Sequence, residues 1–421
     1  MRHFAFLTPE QNAAMFAVPP GVFDRTSPPE VLSIALGATL YSPGTRLQLA
    51  DDAKRAAAIG AMSHVWCLED AIAHEDLPFA QANVVRQLRE LKQGADSAEV
   101  PLPLLFVRVR TPKQVVELAR DAGPAIAQLT GFVLPKITPG RLGEAYLQSL
   151  EVASDLAGLR LYGMPVLEHE NLAWRETRPA HLAGLRELFD RHRSSILSLR
   201  VGGTDLCGLF GLRRDRDTII WDVAVVRDAL CDVLNTFARR GDYVLSGPVW
   251  EHFNGPDRLF RSQLRSTPFQ QGSRMRLRQQ LLRDDADELL REVLLDRANG
   301  FQGKTVIHPT HVSMVNTLSV VSREEYDDAM TVLATRDRGG VVRSYAGNKM
   351  NELGPHGLWA EQVVARAGVY GVLAKPDSMV ELLQRGRFVA DAVFPTTHEE
   401  PTVHGIAPHD VAATESGMLS S

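Results

Sequence analysis

The chain has 421 residues, 44% of them hydrophobic, and a formal net charge of −5. That length supports one core of roughly 250–300 residues plus an appendage, and the acidic balance argues against nucleic acid or an acidic membrane surface as a partner. No apolar stretch reaches the roughly 18 residues that span a bilayer, and the opening MRHFAFLTPEQ lacks a signal-peptide core, so a cytoplasmic protein with no membrane contact is expected.

In chain order, residues 1–30 carry several prolines and no sustained period, which predicts an arm on the surface. A rhythm then begins. Strand-like apolar runs lie at 31–40, 64–68, 102–109, 131–134, 161–167, 196–201, 243–249 and 305–307. Between most of them are stretches with helical spacing, among them PKQVVELARDAG, RLGEAYLQSLEVASDL and DADELLREVLLDRAN. Eight such units predict a closed parallel (β/α)8 TIM barrel over residues 31–318. An open doubly wound sheet is the alternative, disfavoured because no glycine-rich dinucleotide loop follows a strand. The loop at 251–283 is long and holds Arg258, Arg261, Arg265, Arg274, Arg276 and Arg278, which suit either carrier phosphates or a solvated flap. Residues 319–395 read as a helical C-terminal extension and 396–421 as a loose tail. GLWAEQVVARAGVYGVLA in that extension has more apolar residues than one exposed face can carry, which predicts contact with another subunit. Cys67, Cys207 and Cys231 have no metal-type spacing and read as reduced core thiols.

The polar residues that end the strand-like runs are charged rather than turn-forming. They are Arg46; Glu69 and Asp70; Arg108 and Arg110; Lys136; Glu168; Asp205; Glu251 and His252; and His308. In a parallel barrel these converge on one mouth, where such folds place their chemistry. Glu168 and Asp205 would there raise each other's pKa unless a cation lay between them, and Mg²⁺ is the natural hard, oxygen-seeking partner.

LYSPGTR, CLEDAI, FVRVR, GFVLPKI, VLEHE, GGTDLCGLFGLRR and GFQGKTVIHPTHVSMVN are similar, in order, to the signature segments of the HpcH/HpaI aldolase and citrate lyase β-subunit family. The resemblance covers roughly residues 35 to 318. It implies a (β/α)8 barrel that makes or breaks carbon–carbon bonds beside a carbonyl, using Mg²⁺ (or Mn²⁺), in trimers or hexamers. Carried over by position, it implies Glu168 and Asp205 as metal ligands, Arg108 as the substrate-binding and charge-stabilising arginine, and Glu69, Asp70 and Lys136 as its catalytic support. Arg46, Gly203 and Thr204 complete the expected substrate contacts. The chain departs from the family pattern at Cys67, Arg110 and His169, and in the longer stretch between Glu168 and Asp205.

The chemistry so implied leaves an enolate whose charge a cation and Arg108 would offset. The expected substrate is a 3-hydroxyacyl thioester of coenzyme A, of citryl or malyl type. A free 4-hydroxy-2-oxo acid with no carrier, and a non-catalytic metal-binding scaffold, are the alternatives. His308, His252 or a bound water would take the hydroxyl proton, although His308 reads more readily as a structural residue beside Pro309.

Overall fold

The computed structural model describes residues 1–94, 102–253 and 286–394. The arginine-rich part of the 251–283 loop and the tail beyond 395 lie outside the described residues. Eight short strands are parallel neighbours: β1 Ala38–Pro43, β2 Ser63–Cys67, β3 Leu104–Arg108, β4 Gly131–Leu134, β5 Tyr162–Leu167, β6 Leu199–Val201, β7 Leu245–Ser246 and β8 Lys304–Val306. They run β7-β6-β5-β4-β3-β2-β1-β8 around the sheet. A parallel bridge from Gly247 to Lys304 joins the two ends. The Gly247 N–H donates to Gly303 at 3.1 Å and the Thr305 N–H to Gly247 at 3.2 Å. The fold is thus the (β/α)8 TIM barrel expected from the alternation.

The helices between strands form for local reasons. In Pro112–Ala122, Thr111 caps the N-terminus by accepting from the Gln114 N–H, proline occupies the first turn, and Val115, Leu118, Ala119 and Ala122 line the buried face. The first apolar run divides, because residues Pro29–Ala35 are helical and β1 starts only at Ala38. Pro29 in the first turn favours the helix, and Gly37, at φ +54, separates it from the strand. An apolar run without a clear period does not distinguish the two states.

Strand periodicity sorts the barrel wall. Leu105, Val107, Phe132, Leu134, Leu167, Leu199 and Val201 pack outward with the helices. The alternate residues, among them Val65, Leu104, Phe106, Val133, Met164 and Val166, share a second cluster inside the ring. Following each inward row towards the carboxyl ends leads to Cys67, Arg108 and Glu168, so the period of two itself aims these side chains into the mouth.

The floor, at the opposite end, is sealed by the first residues of the chain. Phe4, Leu7, Met15, Phe16 and Phe23 are buried in the inner cluster beside Met62, Leu104 and Leu197. This corrects the expected surface arm: Thr8 caps helix Pro9–Met15 with a capping box, and Phe16–Val18 pairs antiparallel with Val372–Leu373. The C-terminal extension also folds onto its own chain. Helix Gly357–Tyr370 packs on Arg323–Thr335 through Val363, Ala367, Ala329 and Val332, and the Tyr370 hydroxyl donates to the Ile34 carbonyl at 2.9 Å. The apolar content that predicted a subunit contact is therefore used within the chain.

One buried ionic network ties helix Ala286–Asn299 to β8. Lys304 Nζ lies 2.6 Å from Glu292 and 2.7 Å from Asp296, while Arg214 reaches Glu292 at 2.8 Å. Trp221 Nε1 donates to Asp296 at 2.8 Å. Two cations and two carboxylates balance, which is the condition for burying charge without a large penalty.

Candidate active site

Beyond the carboxyl ends of β2, β3 and β4, four charged groups close on one another. Arg108, the last residue of β3, donates to both Glu69 and Asp70. Lys136, just beyond β4, places its ammonium 2.7 Å from Glu69 and 3.1 Å from Asp70. Each carboxylate meets both cations. Burial pushes the Glu69 carboxyl up, and its hydrogen bond with Asp70 adds to this. Asp70 loses less to burial than it gains from Glu69, Arg108 and Lys136, and is held down to about 2. Of the two acids, Glu69 is the one that keeps a proton more readily.

Lys136 has a second use. Its backbone is left-handed at φ 51, an arrangement that costs a residue with a Cβ roughly 1–2 kcal/mol, and this turns its N–H onto Glu168 Oε1 at 2.9 Å. Glu168 continues the inward row of β5 and is 4% exposed. Burial drives its carboxyl up to about 8, with Asp205 adding to the rise and Arg108 opposing it. Asp205, in the short helix Gly203–Gly208 after β6, lies within hydrogen-bonding reach of Glu168 and is also raised, first by burial and then by Asp70. Gly202 makes this approach possible. A Cβ there would fall 2.2 Å from Glu168 Oε2 and 2.5 Å from its Cβ, so only glycine lets β6 pass so close.

Asp70, Arg108, Glu168 and Asp205 border a cavity of about 510 Å³, lined also by Cys67, Tyr41 and Arg200, whereas Glu69 and Lys136 stand behind its wall. A larger depression of about 870 Å³, bounded by Leu77, Gln81, Arg86 and Asp121, lies outside the charged mouth. Gly203 and Thr204 also line the mouth cavity, and Thr204 donates to Glu251. Arg46 is not brought there: its guanidinium holds Asp52 at 2.5 and 3.1 Å. His308 stacks on Phe253 at 4.5 Å and bonds to Thr310, while His252 meets the Arg214 carbonyl; neither lines the cavity. Arg110, one of the departures, is a backbone clasp, donating to the carbonyls of Leu68, Glu69 and Ile72. Sequence reasoning passed over Tyr41, Cys67 as a lining group, and Arg200. The available signal for Arg200 was an arginine in the middle of the apolar run SILSLRV.

Among the described residues no set of three or more His, Cys, Asp or Glu side chains is placed to hold a metal ion. The pair Glu168 and Asp205 nonetheless fits a hard cation. Both are acceptors at close range, Glu168 is buried, and the open cavity leaves room for water and substrate, which is how Mg²⁺ is commonly held.

Taken together, a closed parallel barrel with clustered acids and bases beyond its strand carboxyl ends has the layout of a (β/α)8 enzyme. The chain belongs to the C-C bond lyase family of the TIM-barrel fold, whose model matches residues 30–372. Among solved structures, a citrate lyase from Burkholderia xenovorans LB400 is 17% identical, with a TM-score of 0.56 over 89% of this chain and 99% of that one. A CitE protein of Mycobacterium tuberculosis, in complex with magnesium, acetoacetate and coenzyme A, is 20% identical, with a TM-score of 0.47 over 80% and 99%. Haloferax volcanii malate synthase, as a pyruvate and acetyl-CoA ternary complex, is 15% identical, with a TM-score of 0.45 over 86% and 99%. At these identities the likeness concerns the fold. No curated protein matches the chain.

Proposed function

We propose that this protein is a Mg²⁺-dependent carbon–carbon lyase that cleaves or forms a 3-hydroxyacyl thioester of citryl or malyl type. The observation that carries the reading is the apposition of Glu168 and Asp205 beside Arg108 at the mouth of a C-C bond lyase barrel. Glu168 and Asp205 would hold the cation, which when bound would orient a 2-oxo acid and offset the charge of an enolate. Arg108, reaching the cavity from β3, faces the same charge with its guanidinium. Glu69, Asp70 and Lys136 hold that guanidinium in place, and the Lys136 N–H fixes one oxygen of Glu168 so that the other is free to ligate. Gly203 and Thr204 border the substrate. Coenzyme A is the proposed carrier, the cytoplasm the proposed location, and a trimer or hexamer the proposed assembly. No helix among the described residues is long and apolar enough to cross a membrane.

The test is Mg²⁺-loaded protein incubated with a panel of 2-oxo acids, with and without acetyl-CoA, and followed by NMR. Condensation or cleavage that chelator abolishes is the expected result. The reading falls if no member of the panel turns over, or if turnover ignores chelator. Activity on free 4-hydroxy-2-oxo acids without coenzyme A would select the carrier-free aldolase instead.

A further inference from the structure

A second cavity lies at the end of the barrel opposite the charged mouth. It measures about 720 Å³ and sits under the amino ends of β5 to β8, where helices Pro29–Ala35 and Gly357–Tyr370 face the barrel. The bond from the Tyr370 hydroxyl to the Ile34 carbonyl ties those two helices together. Part of the wall is apolar, with Ile34, Ile196, Leu197 and Leu358 in the lining. The rest is basic. Arg160 precedes β5, Arg193 precedes β6 and Arg240 precedes β7, so the chain brings one arginine to the cavity from each of three successive strand ends.

The acids nearby are mostly engaged elsewhere. Asp242 is paired with Arg186 at 2.9 Å and Glu361 with Arg336 at 2.6 Å, which leaves Glu30 as the one lining carboxylate without an ion pair among the described residues. Arg193 is fixed with its charge unmatched: its guanidinium donates to the carbonyls of Ile196 at 3.0 Å and Asp242 at 2.8 Å, and lies 4.5 Å from the Tyr243 ring centroid. The side chains of Arg160 and Arg240 have no hydrogen bond or ion pair among the described residues. Arg240 is also held left-handed at φ 53, where glycine would be the default. Residues so held gather at ligand clamps.

Three guanidiniums answered by one free carboxylate suit an anion of several charges, and their planar forks match phosphate. The volume is that of a site for a small organic molecule rather than for phosphate alone. Two carboxamides, Gln302 and Gln362, share the lining, and Gln302 Oε1 is buried without a partner. A buried acceptor in that state is costly, and an N–H of a ligand would satisfy it. We propose that the floor of the barrel holds a second binding site, for a nucleoside di- or triphosphate whose base carries an amino group. Arg160, Arg193 and Arg240 meet its phosphates and Gln302 its base. The site shares no lining residue with the mouth, so it stands independently of the lyase reading.

The experiment is calorimetric titration of the full-length protein with ATP, ADP, adenosine and inorganic pyrophosphate, in chelator so that no metal draws phosphates to the mouth. ATP or ADP should bind about tenfold or more tightly than adenosine or pyrophosphate. The double variant Arg160→Gln, Arg240→Gln should lose about tenfold or more of that affinity. Without nucleotide it should melt no lower than the parent, because neither arginine has an ion pair to lose. Saturating ADP should raise the melting point of the parent and not that of the double variant. Arg108→Gln, at the mouth, should bind nucleotide as the parent does. The proposal is overturned if neither nucleotide binds, if adenosine or pyrophosphate binds as tightly as both nucleotides, if the affinity survives the double variant, or if it falls with Arg108→Gln.

Discussion

Glu168 is constrained from three directions: a buried position, the Lys136 N–H on one oxygen, and the Gly202 backbone against the other. Its raised pKa and that of Asp205 mean the pair resists holding two negative charges unaided. Asp205→Asn should therefore leave chelated protein as stable as the parent or slightly more so, while weakening Mg²⁺ affinity on the order of a hundredfold. Thermal melts of parent and variant, each in chelator and in excess Mg²⁺, read both quantities. If Mg²⁺ raises neither melting point and the Asn variant is destabilised in chelator, the acids are a structural pair. Gly202→Ala tests the same site from the other side. Its methyl would meet both the Glu168 carboxylate and its Cβ, so β5 and β6 must shift apart there, and Mg²⁺ binding should be lost together with a lower melting point in chelator than the parent's. For Arg108→Gln, about 10²–10³-fold in kcat is expected to go, with Mg²⁺ affinity preserved; an unchanged kcat would remove Arg108 from the chemistry.

At the scale of elements, the connection between helix Ala286–Asn299 and β8 is ionic where most barrel contacts are apolar. Lys304→Met would strand Glu292 and Asp296 in the core with one cation fewer, and should cost about 3–5 kcal/mol in chemical denaturation. A loss below about 1 kcal/mol would show that the network is replaceable. The lysine of GFQGKTVIHP, in one of the family-like segments, makes this wall contact and does not reach the mouth. Elements with a strong period were legible in the sequence, and so were the charges at their carboxyl ends, because a parallel barrel sends all those ends one way. What escaped depends on which partner a side chain meets once the chain is folded. Arg46 sits at a strand end like the others, but Asp52, six residues on, captures it. Arg200 falls inside an apolar run, and only the closed ring shows that its side chain points inward. The burial of the first residues follows from packing that no local pattern announces.

For the molecule as a whole, acid should be destabilising. His3, His64, His181 and His311 are buried, and desolvation pulls them down from 6.5 to about 3, 4, 4 and 3 respectively. Each contributes stability that is present above pH 6.5 and is lost as the pH falls towards its folded value. Glu168 and Asp296, raised mainly by burial to about 8 and about 6, act in the opposite sense. Around pH 5 these four histidines, with His308, which burial also lowers, are opposed by Glu168 and Asp296 together with Glu69 and Asp205, so on balance unfolding should take up protons. The urea midpoint of metal-free protein should fall steadily between pH 6.5 and 4.5, and a flat or rising midpoint would contradict the buried, neutral histidines. The antiparallel pairing of Phe16–Val18 with Val372–Leu373 also sets a timetable. On a ribosome adding about 5–20 residues per second, the first of these strands waits roughly 20–70 s for the second. Throughout that interval Phe4, Leu7, Met15 and Phe16 have no finished floor to enter, so a nascent chain paused before residue 372 should present them as a hydrophobic N-terminal handle for a chaperone, which the completed protein withdraws.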